Sequence, residues 1–405
     1  MHCLHDYLST VDGFLVTYMN IGSDMHHMDE SIKNTTACHQ VQCHECAYVV
    51  EVPALFHRQR AHCPRCHYVI TTYYQNMTQK LVAFSLASLI FMVAALCFKF
   101  LSFSANGQYH AINIIGSIEA LADNDYLGLA ILQSAVILVL PSTILLCLLY
   151  LLIPVLFGKK PKHAAPLLKL IFTLRPWTMV EIFLVAVLVS LVKIMSMADI
   201  GIGLSFYAYA LFAISMTAML MYLDQHQLYI LTSCELPAPP KPRPASHSIQ
   251  TTWALLVTSI MFYIPANTLP IMHTNILGDD QPSTILGGVV TLWKMGSYPI
   301  AAIIFIASIL VPVGKLAILC WLNYSVQTDY YGGQKTRMVG YRITEFIGRW
   351  SMIDVFVVAI LVSLIQLGNI MSIYPGYAAL AFCTVVILTM LAAFSFDTKL
   401  IWSEQ

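Results

Sequence analysis

Residues 177–192 read WTMVEIFLVAVLVSLV, and residues 350–365 read WSMIDVFVVAILVSLI. Nine of the sixteen positions are identical and the other seven are conservative, with Glu181 opposite Asp354. Shared leucine and valine content would explain a match in the apolar tails. It would not also align Trp177 with Trp350, Met179 with Met352 and an acid two positions further on. A second echo pairs Leu152-Ile153-Pro154-Val155 with Leu310-Val311-Pro312-Val313. The reading is an internal duplication.

Around these two stretches lie others of similar length. Eight runs, near 81–103, 129–157, 179–198, 203–223, 252–273, 298–322, 352–371 and 376–396, are long enough to cross a bilayer. About 20 helical residues span the ~30 Å of hydrocarbon. Four runs fall in each half, so each half crosses an even number of times. The repeats are then parallel, related by an axis along the membrane normal. By analogy with other such duplications, a shared pathway is expected between them.

Composition agrees. Only 10% of the 405 residues are charged, 21 Lys plus Arg against 21 Asp plus Glu, and 58% are hydrophobic. An ordinary soluble domain is roughly 25% charged. Mean hydropathy is +0.71 and the pI is near 7.2. A balanced charge excludes nucleic-acid binding driven by bulk positive charge, and the apolar content excludes a disordered chain.

Lysine and arginine set the expected orientation. Lys33, Arg58, Arg60, Arg65 and Lys80 precede the first run; Lys159, Lys160, Lys162, Lys169 and Arg175 link the second and third. Lys241 and Arg243 follow the fourth, and Lys335, Arg337, Arg342 and Arg349 follow the sixth. The opposite loops offer Lys99 and Lys294. Both termini are expected in the cytoplasm. The first 35 residues are polar, with no basic stretch leading into an apolar core, so no cleaved signal is expected.

Before the first run stand Cys43-x2-Cys46 and Cys63-x2-Cys66, written CHEC and CPRC. Two such pairs match a four-cysteine ribbon, in which two tight turns give a tetrahedral metal four thiolates. Zn²⁺ is the expected ion, with iron in a rubredoxin-like site the alternative. A redox pair would account for one CxxC but not two, and a reducing compartment disfavours structural disulfides. Four filled positions make the site structural. His2, His5, His26, His27, His44, His62 and His67 crowd the same region, with Cys3 and Cys38; they read as a solvated tail or as a second metal site. Before the fifth run only Cys234 appears, followed by ELPAPPKPRPAS, an extended linker. The expected organisation is a tail (1–37), a ribbon (38–75), a first transmembrane repeat (76–225), a linker with a lost second ribbon (226–250) and a second repeat (251–405).

An ionisable group inside a membrane helix costs roughly 2.5–3.5 kcal/mol, so each needs a partner or water. Lys193 lies in the third run, Lys315 in the sixth, and Glu181 and Asp354 open the third and seventh. Ser308 stands seven residues before Lys315, on the same helical face. Lys315 and Asp354 pair in a proton-carrying polar pathway on one reading; on the other, Lys315 snorkels and Asp354 favours a helix start. In YIPANTLP (263–270) two prolines remove backbone donors, and Asn267 can satisfy a freed group. This is either a broken helix at a transport site or an outer kink. The Gly-containing apolar runs at 116–121 and 285–293 are too short to span and read as re-entrant or interfacial.

CHEC…CPRC, YIPANTLPIM (263–272), SILVPVGKLAIL (308–319) and GRWSMIDVFVVAILVSL (348–364) together resemble the paraquat-inducible protein A (PqiA) family, over about residues 40–402. The resemblance implies an inner-membrane protein that works with a periplasmic MCE-domain protein. It implies that phospholipids move between the inner membrane and the tunnel this partner forms. By position it puts Ser308, Lys315 and Asp354 in a second-half polar cluster, and Cys43, Cys46, Cys63 and Cys66 on a metal. Two features depart from the family: the second ribbon is missing, and AALCFKF stands where IPANTLP would repeat. No phosphate-binding P-loop occurs, so a proton gradient is the expected driver and no enzyme activity is expected. The alternatives are a stand-alone secondary transporter or efflux protein for small amphipathic compounds, and a membrane oxidoreductase using the CxxC pairs.

Overall fold

The computed structural model describes residues 39–53, 55–56, 58–105, 108–123, 126–194, 199–232, 244–276, 279–294, 296, 298–328, 333–364 and 371–402. His2, His5, His26, His27, Cys3, Cys38 and linker residues 234–243 lie outside them.

The protein is a mostly helical, multi-pass membrane protein. Eight helices are long and apolar enough to cross a bilayer: Met77–Cys97, Leu127–Leu156, Ala164–Leu191, Leu204–Tyr222, Ala245–Thr268, Ile306–Gln327, Gln334–Ser363 and Tyr377–Ser395. Each overlaps one expected run. Ahead of them, β1 (His39–Gln42) pairs with β2 (Val49–Val52), and β3 (Arg60–His62) with β4 (Val69–Thr72), both antiparallel.

One order of elements then runs twice. Helix α1 (Met77–Cys97) leads into the hairpin β5 (Leu101–Ala105) and β6 (Gln108–Ile112). Next come α2 (Ile114–Asp123), α3 (Leu127–Ser134), a π-helical turn at Ala135–Val139 and α4 (Leu140–Leu156). The half closes with α5 (Ala164–Leu174), α6 (Val180–Ile194), β7 (Asp199–Ile202) and α7 (Leu204–Tyr222). A short α8 (Gln225–Leu231) follows. The second half repeats the order: α9 (Ala245–Thr268), β8 (Met272–Ile276), β9 (Asp279–Ser283), α10 (Ile285–Lys294), α11 (Tyr298–Phe305), a π turn at Ile306–Leu310 and α12 (Val311–Gln327). It ends with α13 (Gln334–Trp350), α14 (Ile353–Leu364), β10 (Met371–Pro375) and α15 (Tyr377–Ser395). Each half also carries one three-stranded antiparallel sheet, ordered β6-β5-β7 and β9-β8-β10. These sheets were not expected from the sequence.

The irregular points recur for physical reasons. Pro141 and Pro312 each sit just past a π turn. A proline lacks the N–H and crowds the carbonyl four residues back, and a wider turn relieves both. This corrects the second sequence echo. Leu152–Val155 lies at the end of α4, whereas Leu310–Val313 straddles the π turn and the start of α12; the structural counterpart of Pro312 is Pro141. Gly203 and Gly376 each precede the last helix of a half and donate N–H to the carbonyls of Phe100 (3.1 Å) and Ile271 (2.8 Å). A Cβ there would collide with the Lys99 and Pro270 carbonyls, so only glycine admits the crossing.

Helix α9 runs unbroken past Pro265 to Thr268, and Asn267 Nδ2 donates to the Tyr263 carbonyl at 2.9 Å. The IPANTLP run is thus a continuous helix end rather than a broken helix. The two short apolar runs fold as the ten-residue helices α2 and α10. The core is apolar. Within each half the first and last spans pack together, and between halves α6 packs on α14.

Candidate functional site

The sequence places each CxxC where a hairpin turns. Cys43 lies just past β1 and Cys63 just past β3, and their N–H groups donate to the Tyr48 and Tyr68 carbonyls, both at 2.9 Å. Ala47 and His67, each following a second cysteine, turn the chain left-handed at φ 56° and 57° and donate back to the Cys43 and Cys63 carbonyls. The two hairpins thus form matching knuckles that face each other. Cys43 Sγ lies 3.6 Å from Cys66 Sγ, and Cys46 Sγ lies 3.5 Å from Cys63 Sγ. All four sulfurs fall within 4.8 Å of one another and all four cysteines are buried. Tetrahedral Zn–S bonds of ~2.3 Å put sulfurs about 3.8 Å apart, so the set fits a four-thiolate metal. Burial pushes the Cys66 thiol up to about 11, and the Cys46 thiol higher. At Cys63 burial also raises the value, but hydrogen bonds from the Cys66 and Arg65 backbone outweigh it and the net shift is down. A metal held by Cys43, Cys46, Cys63 and Cys66 would supply the positive charge to keep all four as thiolates and would tie the knuckles together.

The ribbon is docked on both halves. Thr71 Oγ1 and the Thr72 N–H donate to the two carboxylate oxygens of Asp224, at 2.9 and 2.8 Å, on the first half. On the second, Arg342 Nη2 donates to the Cys66 carbonyl and Arg65 Nη2 to the Trp402 carbonyl, each at 2.9 Å. Arg65 also stacks over the Trp402 ring, 5.1 Å from its centroid. The cysteines share an apolar cluster with Leu322, Met338, Tyr341, Phe396, Ile401 and Trp402.

The residues singled out inside the spans do not all meet. Ser308 (2% exposed) sits in the π turn and Lys315 (3% exposed) one turn into α12, both facing inward. Lys315 Nζ has no hydrogen-bond partner among the described residues. It fits because α13 offers Gly348: a Cβ there would stand 2.9 Å from Nζ. Glu181 is half-buried in the first turn of α6. Asp354 and Lys193 lie in α14 and α6, their side chains outside the described residues, so the expected Lys315–Asp354 pair is not addressed. Asn267 stands at the far end of α9 from Ser248, which receives the Asp397 N–H near the ribbon. It is therefore apart from Lys315.

Between the ribbon and both halves lies a chamber of about 1150 Å³ into which Lys315 projects. Arg175 and Arg349 line it as well. Sequence reasoning used these arginines only to orient the chain. The usable signal was their position: Arg175 lies two residues before Trp177, and Arg349 one residue before Trp350.

Comparison with known proteins agrees with this architecture. The family model described as "Paraquat-inducible protein A" matches residues 78–232 and 249–405, one stretch on each run of elements. The chain is 37% identical to the Escherichia coli K12 protein named "Intermembrane transport protein PqiA" over 406 residues, covering 91% of this chain and 97% of the relative. It is 29% identical to the "Lipophilic envelope-spanning tunnel protein A" of the same organism, covering 90% and 91%. A Haemophilus influenzae "Probable intermembrane transport protein" is 28% identical over 89% of this chain and 95% of the relative. No solved structure matches. With the family model covering most of the chain and the first relative matched nearly end to end, this chain belongs to the paraquat-inducible protein A family.

Proposed function

We propose that this protein is an intermembrane lipid transporter, the inner-membrane subunit that passes phospholipids to or from a tunnel formed by a periplasmic MCE-domain protein. The relatives' names, an intermembrane transport protein and a lipophilic envelope-spanning tunnel protein, support the transport role. Both termini lie in the cytoplasm on this reading. The ribbon, residues 38–75, holds Zn²⁺ on Cys43, Cys46, Cys63 and Cys66 and sits below two transmembrane repeats, 76–225 and 251–405.

Transport is driven by protons through the second-half cluster of Ser308, Lys315 and Asp354, with Glu181 and Lys193 as the polar groups of the first half. Asn267 serves as a helix-end satisfier. The observation that carries the drive is Lys315: a buried amine inside a spanning helix, with no hydrogen-bond partner among the described residues. Such a group is costly in a membrane, and ionisable side chains inside spans commonly mark ion or proton pathways. A lysine that alternately holds and releases its proton can couple proton flow to a change of packing.

The test is lipid transfer in proteoliposomes holding the full chain and its MCE-domain partner, with a fluorescent phospholipid and an imposed pH gradient. Transfer that collapses with a protonophore is the expected result. Transfer indifferent to the protonophore removes the proton drive. Uptake of small amphipathic cations without any partner would replace the reading with a stand-alone transporter.

A further inference from the structure

The chamber under the ribbon gathers further cations around Lys315 that the proton drive does not use. Its cations come from separate parts of the chain: Arg175 from the turn before α6, Lys315 from α12, Arg349 from the end of α13, and Lys399 from the C-terminal segment. Arg175 and Arg349 occupy neighbouring register positions in the two halves, so each half contributes one guanidinium. The carboxylates that line the same space are Glu45, Asp224 and Glu345. Asp224 is already engaged by Thr71, Thr72 and the Gln227 N–H. Glu45 lies beside His44, at 4.0 Å. No described carboxylate comes within ion-pair distance of Arg175, Lys315 or Arg349. Among the described residues Arg175 donates to the Leu220 and Leu223 carbonyls, at 3.3 and 3.5 Å, with Asp224 and Arg349 both near enough to act on its charge.

An amine with no hydrogen-bond partner among the described residues and two guanidinium groups, on one cavity and out of ion-pair reach of any described carboxylate, make an arrangement suited to an anion. Guanidinium forks match the oxygens of phosphate in pairs, and an ammonium adds a compact point charge. The same walls mix polar side chains such as Gln40 and Gln225 with Phe172, Met221, Met390 and Phe394, apolar surface that an acyl chain would cover.

We propose that this chamber is a binding site for a phosphate-type oxyanion, held by Arg175, Lys315 and Arg349 on the ribbon side of the membrane. The oxyanion is that of a phospholipid headgroup or of free phosphate. The proposal deepens the lipid-transport reading by adding a headgroup site, but its test is binding and does not depend on transfer, partner or driving force.

The full metal-loaded chain, delipidated in nonionic detergent, is titrated with dioleoyl phosphatidylglycerol, with dioleoylglycerol, which lacks the phosphate, and with inorganic phosphate at fixed ionic strength. Binding is read by native mass spectrometry and by the thermal unfolding midpoint. Phosphatidylglycerol should bind at one saturable site at least fivefold more tightly than dioleoylglycerol. Arg349→Gln should weaken that site at least fivefold, while Lys160→Gln/Lys162→Gln, outside the chamber, should leave it unchanged. Saturable phosphate binding that Arg349→Gln also weakens would make the soluble oxyanion the ligand; phosphate without effect would assign the lipid headgroup. Should Arg349→Gln fail to fold, Arg349→Lys keeps the charge but loses the fork and should still weaken the site. Equal binding by wild type and both Arg349 variants, or no saturable binding of either anion, overturns the proposal.

Discussion

Phe183 and Phe356 meet edge to face, with ring centroids 5.7 Å apart and planes at 87°. They hold the same position in the two sequence stretches that echo one another, each six residues after the tryptophan. Equivalent residues that touch mark where an axis relating the two halves would pass. The contact lies where α6 packs on α14, both rings buried at 1% exposure.

That packing predicts matched losses. Phe183→Ala and Phe356→Ala should each destabilise the protein by about 3–5 kcal/mol, the usual cost of emptying a buried phenyl site. Because each ring is the other's neighbour, the double variant should lose about 0.5–1.5 kcal/mol less than the sum, the aromatic pair counted once. Thermal unfolding in detergent, followed by tryptophan fluorescence, would measure both. Strict additivity would show that the rings do not act as a pair.

The paired glycines give a second prediction. Gly203→Ala and Gly376→Ala would drive a methyl into the Lys99 and Pro270 carbonyls, so both should sharply lower folded yield. Gly288→Ala, inside α10 with nothing within 4 Å of the added Cβ, should be neutral or stabilise by up to about 1 kcal/mol. Fluorescence-detected size-exclusion of the three variants separates these outcomes.

Metal removal is the third. The purified chain should carry one equivalent of zinc by elemental analysis, and Cys63→Ser none. Burial holds the metal-free Cys46 and Cys66 thiols above the ordinary cysteine range, so metal binding must displace their protons. Zinc occupancy should therefore fall as pH is lowered, and binding should release protons. With the knuckles untied, the contacts to Asp224, Trp402 and Arg342 lose their geometry. Limited proteolysis should then cut within residues 39–72 while the apolar spans stay protected. An iron content with visible colour would change the metal but not the geometry.

The eight spans and the four-cysteine cluster were legible because each writes a local pattern: an apolar run of membrane length, and cysteines at knuckle spacing. The outer sheets were not, since strands of five residues such as Leu101–Ala105 leave too short an alternation beside a long apolar helix. Nor was the docking of the ribbon, which depends on Arg342 reaching Cys66 and Arg65 reaching Trp402 across most of the chain. The LVPV echo misled because Leu-Pro and Val-Pro pairs recur in apolar sequence; the π turns, fixed by backbone geometry, set the correspondence at Pro141 and Pro312. Lys315 stood out in the sequence as a charge in a span. The glycine that makes room for it did not, because Gly348 lies on another helix.

Lys315 carries the last prediction. An ammonium buried inside a spanning helix without a described partner is a cost to the fold, up to about 2.5–3.5 kcal/mol on insertion scales. Methionine has a similar length and no charge, so Lys315→Met should raise the unfolding midpoint while abolishing proton-coupled lipid transfer. Gly348→Ala acts on the same atom from the other side: its methyl crowds Nζ, so transfer should fall, and the Lys315→Met/Gly348→Ala pair should be no worse than Lys315→Met alone. Measuring midpoint and transfer on the same three preparations distinguishes function from folding. A destabilised Lys315→Met would mean that the ammonium is already satisfied in the membrane. In that case Lys315 is a structural residue, and the drive must be sought elsewhere in the spans.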